Sequence, residues 1–293
     1  MNEDRDTAEG LGFAVSAYFL WGFLPIYLKF LDHVPPMEVV AHRVIWSVPV
    51  AGAVLIALGR TDTLREALRQ PKWLAMACVT AALISVNWGI YVYAIASEQT
   101  IEAALGYYIN PLFSVFIGAV FLRERLDALQ WGAIALALGA VAVLTIEAGR
   151  LPLIAVALTL SWGFYALAKK KLPIGPNQGF LLEVLILSVP ALFYLGWLSA
   201  NGQGSFSASP WLLMGTGIAT AVPLMLYVNG AKKLRLSTIG ILQYIAPTMI
   251  LIVAVFLFKE PFGQARAIAF PMIWAALLLY SVSLFRQVRS ARV

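Results

Sequence analysis

Trp21-Gly22-Phe23 occurs a second time as Trp162-Gly163-Phe164, 141 residues later in the chain. The same offset pairs Ser47-Val48-Pro49 with Ser188-Val189-Pro190. Further identities follow in the same order at an offset of 136 residues: Tyr91-Val92 with Tyr227-Val228, Tyr108-Ile109 with Tyr244-Ile245, Pro111 with Pro247, and Glu124 with Glu260. Because these matches involve Trp, Gly, Pro and Tyr and stay in register, they indicate an internal duplication. We therefore predict two repeats, residues 1–148 and 149–293.

The composition predicts that the solvent of this chain is lipid. Of its 293 residues, 61% are hydrophobic and 12% are charged, whereas soluble domains carry roughly 25% charged residues. The net charge is +6, but the basic residues lie in short clusters between apolar stretches, which argues against a nucleic-acid partner. The expected partners are the lipid bilayer and a small-molecule substrate, with the chain acting as a monomer.

Ten segments have close to the roughly 20 apolar residues that a membrane-spanning helix needs. Their positions are 12–31, 38–58, 73–97, 101–121, 128–146, 151–169, 178–198, 210–230, 237–258 and 263–284. Five spans in each repeat is an odd number, so the second repeat enters the membrane from the opposite face. Inverted repeats of this kind are common in secondary transporters. The predicted fold class is an all-α integral membrane protein with ten transmembrane helices arranged as two inverted five-helix repeats.

Lysine and arginine residues predict how the bundle is oriented. With both termini inside, most of the 21 basic residues lie on the cytoplasmic side, while Lys29, Arg150, Lys259 and Arg266 lie outside. The positive-inside rule therefore favours a multi-pass membrane protein with cytoplasmic N- and C-termini. The cluster Lys169 to Lys171 follows the sixth helix and lies inside, whereas the equivalent turn after the first helix lies outside.

Motifs for catalysis and for metal binding are missing from the sequence. No glycine-rich phosphate-binding loop ends in Lys-Ser/Thr, so ATP is not the expected energy source. His33 and His42 are the only histidines, and no His-Glu-x-x-His pattern suggests a zinc site. We predict that the protein is not an enzyme and that it has no catalytic residues, no cofactor and no metal.

Amide and aromatic side chains are concentrated within the first, third, fourth, sixth, eighth and ninth spans. Buried polar groups in a membrane need partners and rarely face hydrocarbon. For each residue, contact with a substrate and hydrogen bonding between helices are both open interpretations. The predicted substrate-binding residues are Trp21, Asn87, Trp88, Tyr91, Tyr108, Asn110, Trp162, Tyr165, Tyr227, Asn229, Gln243 and Tyr244.

Prolines occupy equivalent positions in the fourth and ninth spans. A proline within a helix bends it and frees the carbonyl one turn earlier, which suits a cavity wall or a hinge. Packing without a mechanical role is the alternative. We predict that Pro111 and Pro247 act as hinges.

Ionisable residues near the ends of spans are candidates for gating. His42 and Arg43 lie about one turn into the second helix, and Glu98 and Glu102 flank the turn between the third and fourth helices. Either glutamate could therefore pair with Arg43, and we predict gating roles for His42, Arg43 and Glu102. Structural ion pairing is the alternative to gating or to proton coupling through His42. The positions predict no fixed charge at mid-depth in the membrane.

Five strings of residues are distinctive: Ala17-Tyr18-Phe19-Leu20-Trp21-Gly22, His42-Arg43-Val44-Ile45-Trp46-Ser47, Glu102-Ala103-Ala104-Leu105-Gly106-Tyr107, Ile109-Asn110-Pro111-Leu112, and Leu234-Arg235-Leu236-Ser237-Thr238 with Gln243-Tyr244-Ile245. Together they resemble the RarD branch of the EamA-type drug/metabolite transporter superfamily. The resemblance implies a central cavity lined by helices one, three, four, six, eight and nine, with helices five and ten at the periphery. Relatives of the YddG type export aromatic and other neutral amino acids.

The sequence and the resemblance together predict a secondary transporter of the bacterial inner membrane that exports small amphipathic metabolites by alternating access. The expected substrates are neutral and aromatic amino acids and related drugs. One alternative is an exporter or facilitator of phosphorylated or sugar-linked metabolites, which should have lysine or arginine at mid-membrane to bind phosphate. Two further alternatives are a channel-like facilitator and a non-transporting membrane sensor. The sequence does not identify a coupling ion.

Overall fold

The computed structural model describes residues 7–57, 59, 62–122, 126–231, 233–234, 238 and 242–290. Within these residues the regular structure is helical. The helices are α1 (Ala8–Lys29), α2 (Pro36–Ala57), α3 (Asp62–Arg69), α4 (Pro71–Ala96), α5 (Thr100–Leu122), α6 (Ala128–Ala148), α7 (Leu153–Lys171), α8 (Pro176–Ala200), α9 (Pro210–Ala231), α10 (Ile245–Ile252) and α11 (Gly263–Ser290). A π-helical turn, Val253–Leu257, continues α10.

The predicted spans are confirmed as helices, and the all-α membrane fold is confirmed with them. Seven helices, α1, α2, α4, α6, α8, α9 and α11, are long and apolar enough to cross a membrane. The 23-residue α5 and two shorter apolar helices, α7 and α10 with its π turn, bring the set to ten. The additional helix α3 is an eight-residue amphipathic segment in the loop before α4. Residues 237 and 239–241 of the predicted span 237–258 lie outside the described residues, and its described helix begins at Ile245.

Helix ends follow local sequence signals. Prolines begin α2, α4, α8 and α9, where the missing N–H has no helical partner to lose. Asp127 caps α6 by accepting from the Gln130 amide at 2.8 Å, and the Gln130 side chain accepts from the Asp127 amide at 3.0 Å. The same helix ends at Gly149, whose φ of 63° is a left-handed conformation that favours glycine. The predicted repeat boundary falls at this glycine and stays a prediction.

Helix packing follows an approximate two-fold symmetry between the first five spans and the second five. Helix α1 packs against α9 and α10, and its counterpart α7 packs against α4 and α5. Two counterpart pairs, α2 with α8 and α6 with α11, pack against each other. The α6–α11 pair lies apart from most other helices, so the fifth and tenth spans are peripheral.

Contacts between loops show that the two halves are inverted. His33, in the turn after α1, lies 3.1 Å from Ser209 in the loop before α9. The equivalent turn after α7 instead packs Leu172 and Ile174 against Ala77, near the start of α4. Lys29, at the end of α1, pairs with Glu98 just after the other end of α4. The two equivalent turns therefore lie at opposite ends of α4, on opposite faces of the bundle. We name these the Ser205 face, which carries residues 30–35 and 201–209, and the Leu172 face, which carries residues 172–175.

Which of the two faces is cytoplasmic is predicted from charge alone. Several members of the predicted cytoplasmic set lie outside the described residues: Arg5, Arg60, Arg123, Arg125, Lys232, Arg235 and Arg292. The predicted orientation therefore stays a prediction.

The repeated Trp-Gly-Phe string is explained by close contact between helices. A Cβ on Gly22 would lie 2.6 Å from the Cβ of Met249 on α10, and a Cβ on Gly163 would overlap the ring of Phe113 on α5. Phe113 and Met249 are themselves related by the 136-residue offset. Small residues allow helices to approach closely in a membrane, so the same glycine contact was duplicated with the repeat.

Candidate functional site

A central cavity lies between the two halves, with about 200 Å³ open to the centres of water molecules. That is many times the roughly 10–15 Å³ which one water needs on this measure. Its lining comes from both repeats and comprises Tyr18, Trp21, Leu24, Arg43, Ile84, Asn87, Trp88, Tyr91, Tyr107, Asn110, Trp162, Tyr165, Phe180, Thr220, Leu224, Tyr227, Gln243, Ala246, Pro247 and Ile250.

Nine of the twelve predicted substrate-binding residues line this cavity. They are Trp21, Asn87, Trp88, Tyr91, Asn110, Trp162, Tyr165, Tyr227 and Gln243. They come from the helices expected to form the wall. Their placement brings them together at one site, and their role in binding stays a prediction.

The other three predicted residues lie outside the lining of this cavity, and their role in binding also stays a prediction. The Tyr108 hydroxyl lies 2.6 Å from the Thr248 hydroxyl. Asn229 donates to the Met225 carbonyl of its own helix at 2.9 Å, and Tyr244 packs against the main apolar core. The reason is rotation about the helix axis: adjacent residues point about 100° apart. Tyr107, which the prediction omitted, faces the cavity in place of Tyr108.

An aromatic wall forms one side of the cavity. Trp21 lies 5.7 Å from Tyr18 and 5.6 Å from Tyr227, measured between ring centroids, and all three rings meet at edge-on or tilted angles. On α7, Trp162 and Tyr165 form a second tilted pair at 5.7 Å. Aromatic rings prefer such arrangements to face-to-face stacking. The wall therefore offers apolar surface to a planar solute.

Asn87 holds two helices together, although it lines the cavity. Its amide nitrogen donates to the Leu158 carbonyl at 3.2 Å and to the Ser161 hydroxyl at 2.9 Å, both on α7. Its carbonyl oxygen lies 3.5 Å from the Tyr107 hydroxyl. Both amide hydrogens of Asn87 are therefore engaged within the protein, as the structural interpretation of such residues predicts.

Arg43 places a fixed positive charge in the cavity, so the prediction that mid-depth carries no charge was wrong. The side chain is 3% exposed. Its Nε donates to the Thr220 hydroxyl, halfway along α9, at 3.0 Å, and its guanidinium carbon lies 5.0 Å from the Trp88 ring centroid. Sequence position gives the depth of the Cα atom only, whereas this long side chain carries its charge toward the centre of the bundle.

Neither glutamate that was considered as a partner of Arg43 forms that pair. Glu98 lies 3.7 Å from Lys29 on the Ser205 face. Glu102 lines a separate cavity of about 130 Å³ together with Arg150 and Arg266, so the structure gives no support to a gating role through Arg43. The Arg43 guanidinium contacts a hydroxyl and a ring rather than a carboxylate.

Three residues of the cavity lining carry buried polar atoms that lack a hydrogen-bond partner among the described residues. These atoms are Nη1 of Arg43, the hydroxyl of Tyr91 and Oδ1 of Asn110. Buried polar atoms are nearly always satisfied in proteins, so each exception needs an explanation. The set comprises one cationic donor, one acceptor and one group that can serve as either.

His42 lies away from the cavity, in a group of contacts between α2 and the 201–209 loop on the Ser205 face. Its ring stacks on Phe206 at 5.3 Å between centroids, and its Nε2 lies 3.9 Å from Oε1 of Glu38. Glu38, a residue that the sequence reasoning missed, accepts from the Ser205 amide at 2.6 Å and the Ser205 hydroxyl at 2.9 Å. The four-residue spacing of Glu38 and His42 on one helix was the available signal.

A buried ion pair lies between α7 and α8 near the other face. Lys169 Nζ lies 2.5 Å from Glu183 Oε1, and the Tyr165 hydroxyl donates to the other carboxylate oxygen at 3.2 Å. Lys169 was counted with the charges of a cytoplasmic loop. Its side chain instead points inward, because Glu183 is 1% exposed and needs a cationic partner.

The two predicted hinge prolines differ in position. Pro111 lies inside α5 and is buried, so the carbonyl of Tyr107 lacks its helical amide partner. Pro247 lines the cavity but lies in the first turn of α10, where a proline removes no helical hydrogen bond. The irregular feature of this helix is its π turn, Val253–Leu257, a type of turn often found at functional sites.

Similarity to known proteins agrees with this architecture. The profile of the EamA-like transporter family matches residues 8–146. The chain is 40% identical to Protein RarD of Streptomyces exfoliatus over 296 residues, covering 100% of this chain and 94% of that protein. It is 35% identical to Protein RarD of Escherichia coli (strain K12) over 293 residues, covering 98% and 99%. One solved crystal structure shares the fold, with a TM-score of 0.60, 22% identity, and coverage of 97% and 99%. Because its sequence identity to these RarD proteins extends over its full length, the chain belongs to the RarD-type proteins of the EamA-like transporter family.

Proposed function

We propose that this chain is a secondary transporter that exports small amphipathic metabolites, with neutral and aromatic amino acids as the substrate class and related drugs as further substrates. It would act in the bacterial inner membrane with both termini in the cytoplasm. One observation carries the proposal: the lining of an aromatic cavity between the repeats includes three buried polar atoms that have no partner among the described residues.

The aromatic residues would bind the apolar part of the substrate. Ring pairs contribute about 0.5–1.5 kcal/mol beyond the burial of their area. Trp21, Tyr227 and Trp162 lie on opposing repeats and line the same space, so a planar side chain between them would contact both halves of the protein. This arrangement favours aromatic over small polar solutes.

The polar atoms would orient the charged end of the substrate. Oδ1 of Asn110 is an acceptor for an ammonium group, and Nη1 of Arg43 is a donor for a carboxylate. Because the Asn87 amide hydrogens are used between helices, Asn110 replaces Asn87 as the proposed amide contact. An amino acid would satisfy both kinds of group at once.

Alternating access would proceed by rocking one repeat against the other. Contacts between the repeats occur on both faces. On the Ser205 face, Glu38 accepts from Ser205. On the Leu172 face, Lys233 pairs with Glu9 and Asp127 accepts from Ser283. Opening one face would break its own set of contacts while the other set stays intact.

Uptake of a panel of labelled neutral amino acids into proteoliposomes, with and without a pH gradient, tests the proposal. We expect flux and counterflow for aromatic amino acids, and strong loss of both when Trp21 and Trp162 are replaced together by alanine. Trp211→Ala is the matched control, because Trp211 is 80% exposed on the outside of the bundle. Absence of flux for every neutral amino acid would refute the substrate class. Flux without counterflow would indicate a channel-like facilitator.

A carrier of phosphorylated metabolites is the second candidate, because Arg43 is a cation of the kind such a carrier requires. A phosphate monoester carries about −1.5 to −2 charges at neutral pH. Arg43 is the single Lys or Arg among the described residues that line the cavity. The charge of the cavity therefore fits a monoanion better than a dianion.

A further inference from the structure

We infer that Arg43 is the specificity-determining residue of the cavity and that it selects solutes in which a single carboxylate is joined to an aromatic group, whether or not they carry an ammonium group. This inference deepens the proposed function and rests on it. It names a broader substrate class, aromatic monocarboxylates, of which amino acids are one part.

The contacts of Arg43 hold its guanidinium in place at the wall of the cavity. Nε is engaged by the Thr220 hydroxyl at 3.0 Å, and the Trp88 ring lies against the group at 5.0 Å. Nη1 is buried and has no hydrogen-bond partner in the part of the chain that the structure describes. A planar guanidinium binds carboxylates through two parallel hydrogen bonds. In Arg43, Nε is fixed by Thr220 and the guanidinium is held beside Trp88. The group is therefore oriented before a solute arrives.

Arg43 has no counterion among the described residues around the cavity. No aspartate or glutamate occurs among the described residues that line it. Glu38, on the same helix, accepts from Ser205, and Glu183 pairs with Lys169. An unpaired charge inside a membrane protein is costly, so a solute that brings one carboxylate stabilises the site. The same charge repels an ammonium that arrives without a carboxylate.

The neighbours of Arg43 define the rest of the preferred solute. Trp88 and Tyr91 follow one another by three residues on α4 and both line the cavity. A carboxylate on the guanidinium therefore lies beside aromatic side chains that can contact a ring. Asn110 Oδ1 accepts an ammonium where one is present, but an uncharged amide balances no full positive charge. The ammonium of an amino acid thus adds a contact, whereas recognition depends on the carboxylate.

Four probes that share a phenyl ring separate these contributions. They are 3-phenylpropionate, phenylalanine, phenethylamine and phenyl phosphate. Binding to the full-length purified protein is measured by calorimetry, and inhibition of labelled phenylalanine uptake is measured in proteoliposomes. We expect 3-phenylpropionate and phenylalanine to bind within about tenfold of each other, and phenethylamine to bind at least tenfold more weakly, since about 1.4 kcal/mol corresponds to tenfold.

Three variants connect the preference to Arg43. Arg43→Gln should weaken both carboxylates at least tenfold and leave phenethylamine unchanged or tighter. Arg43→Lys should keep the order of preference, because the charge remains. If Arg43→Gln does not fold, Thr220→Val removes the anchor of Nε and should lower carboxylate affinity severalfold. Lys29→Gln is the matched control, since it removes a positive charge on the Ser205 face outside the cavity.

The outcomes separate this inference from the proposed function. If the wild type transports aromatic amino acids but Arg43→Gln keeps the full preference for carboxylates, the inference is overturned and the proposed function stands. If phenyl phosphate binds more tightly than 3-phenylpropionate, selection of a single carboxylate is overturned. If Arg43-dependent binding of 3-phenylpropionate occurs but no neutral amino acid is transported, the recognition site stands and the proposed substrate class fails.

Discussion

Replacing Lys169 with methionine removes the cationic partner of a buried carboxylate while keeping most of the side-chain volume. The pair is close, with Nζ 2.5 Å from Glu183 Oε1, and the side chains of Lys169 and Glu183 are 19% and 1% exposed. Breaking a buried pair by removing one partner typically costs about 3–5 kcal/mol, because the remaining charge is uncompensated. Tyr165 still donates to Glu183 at 3.2 Å, so we expect a loss of free energy of unfolding near the lower limit, about 3 kcal/mol.

Removing both charges together should behave differently. When a buried pair is replaced by apolar residues of similar volume, the change is often neutral or stabilising. We therefore expect Lys169→Met with Glu183→Leu to unfold within about 1 kcal/mol of the wild type, which gives a coupling energy of at least about 2 kcal/mol in a double-mutant cycle.

Unfolding by sodium dodecyl sulfate in mixed micelles, followed by tryptophan fluorescence, measures this cycle. Lys29→Met is the control, because Lys29 pairs with Glu98, a residue whose side chain is 79% exposed. Exposed pairs contribute about 0–1 kcal/mol, so the control should change stability little. If the Lys169→Met single variant is as stable as the double variant, the charge on Glu183 is not uncompensated and the reasoning is refuted.

Three further predictions follow from the packing. Gly22→Val should prevent normal assembly in detergent, because its Cβ would lie 2.6 Å from a neighbouring side-chain atom. Gly12→Val should assemble normally, because a Cβ there meets no atom of the described residues within 4 Å. Equal yields of monodisperse protein from the two variants would contradict this prediction. Glu38→Ala should speed hydrogen exchange at the Ser205 amide by about tenfold or more, since hydrogen bonds to charged groups contribute about 1.5–3 kcal/mol. Unchanged exchange would show that contacts other than Glu38 protect this amide. Pro111→Ala should restore a helical hydrogen bond and slow transport without lowering the thermal stability, and full transport by this variant would remove the hinge role.

Much of the architecture could be predicted from apolar length and repetition. Segments of about 20 apolar residues have few alternatives to a helix in lipid, because every backbone polar group must be satisfied internally. Trp21 and Trp162 were recognised as equivalent, and both line the cavity. Choosing between adjacent residues was less successful, since a helix rotates 100° per residue. The prediction named Tyr108 where Tyr107 faces the cavity.

Electrostatic roles were harder to predict from position in the sequence. Arg43 was placed by its distance from the helix end, and Glu98 and Glu102 were the nearest candidate partners in an outer turn. In the folded protein Arg43 reaches Thr220, 177 residues away. Glu38 lies close to the end of a helix and contacts Ser205, 167 residues away. Its position in the sequence does not predict a contact with a residue so distant in the chain.

The sequence by itself determined the lipid environment, the ten helices and the repeated strings that relate the two halves. These follow from composition and spacing, which are properties of segments. The tertiary structure alone decided which polar groups are used between helices and which are buried at the cavity without a protein partner. Asn87 donates to α7, while Asn110 and Arg43 each keep one buried atom that has no partner among the described residues. Such partners are distant in the chain, so their meeting depends on the rotation and packing of whole helices.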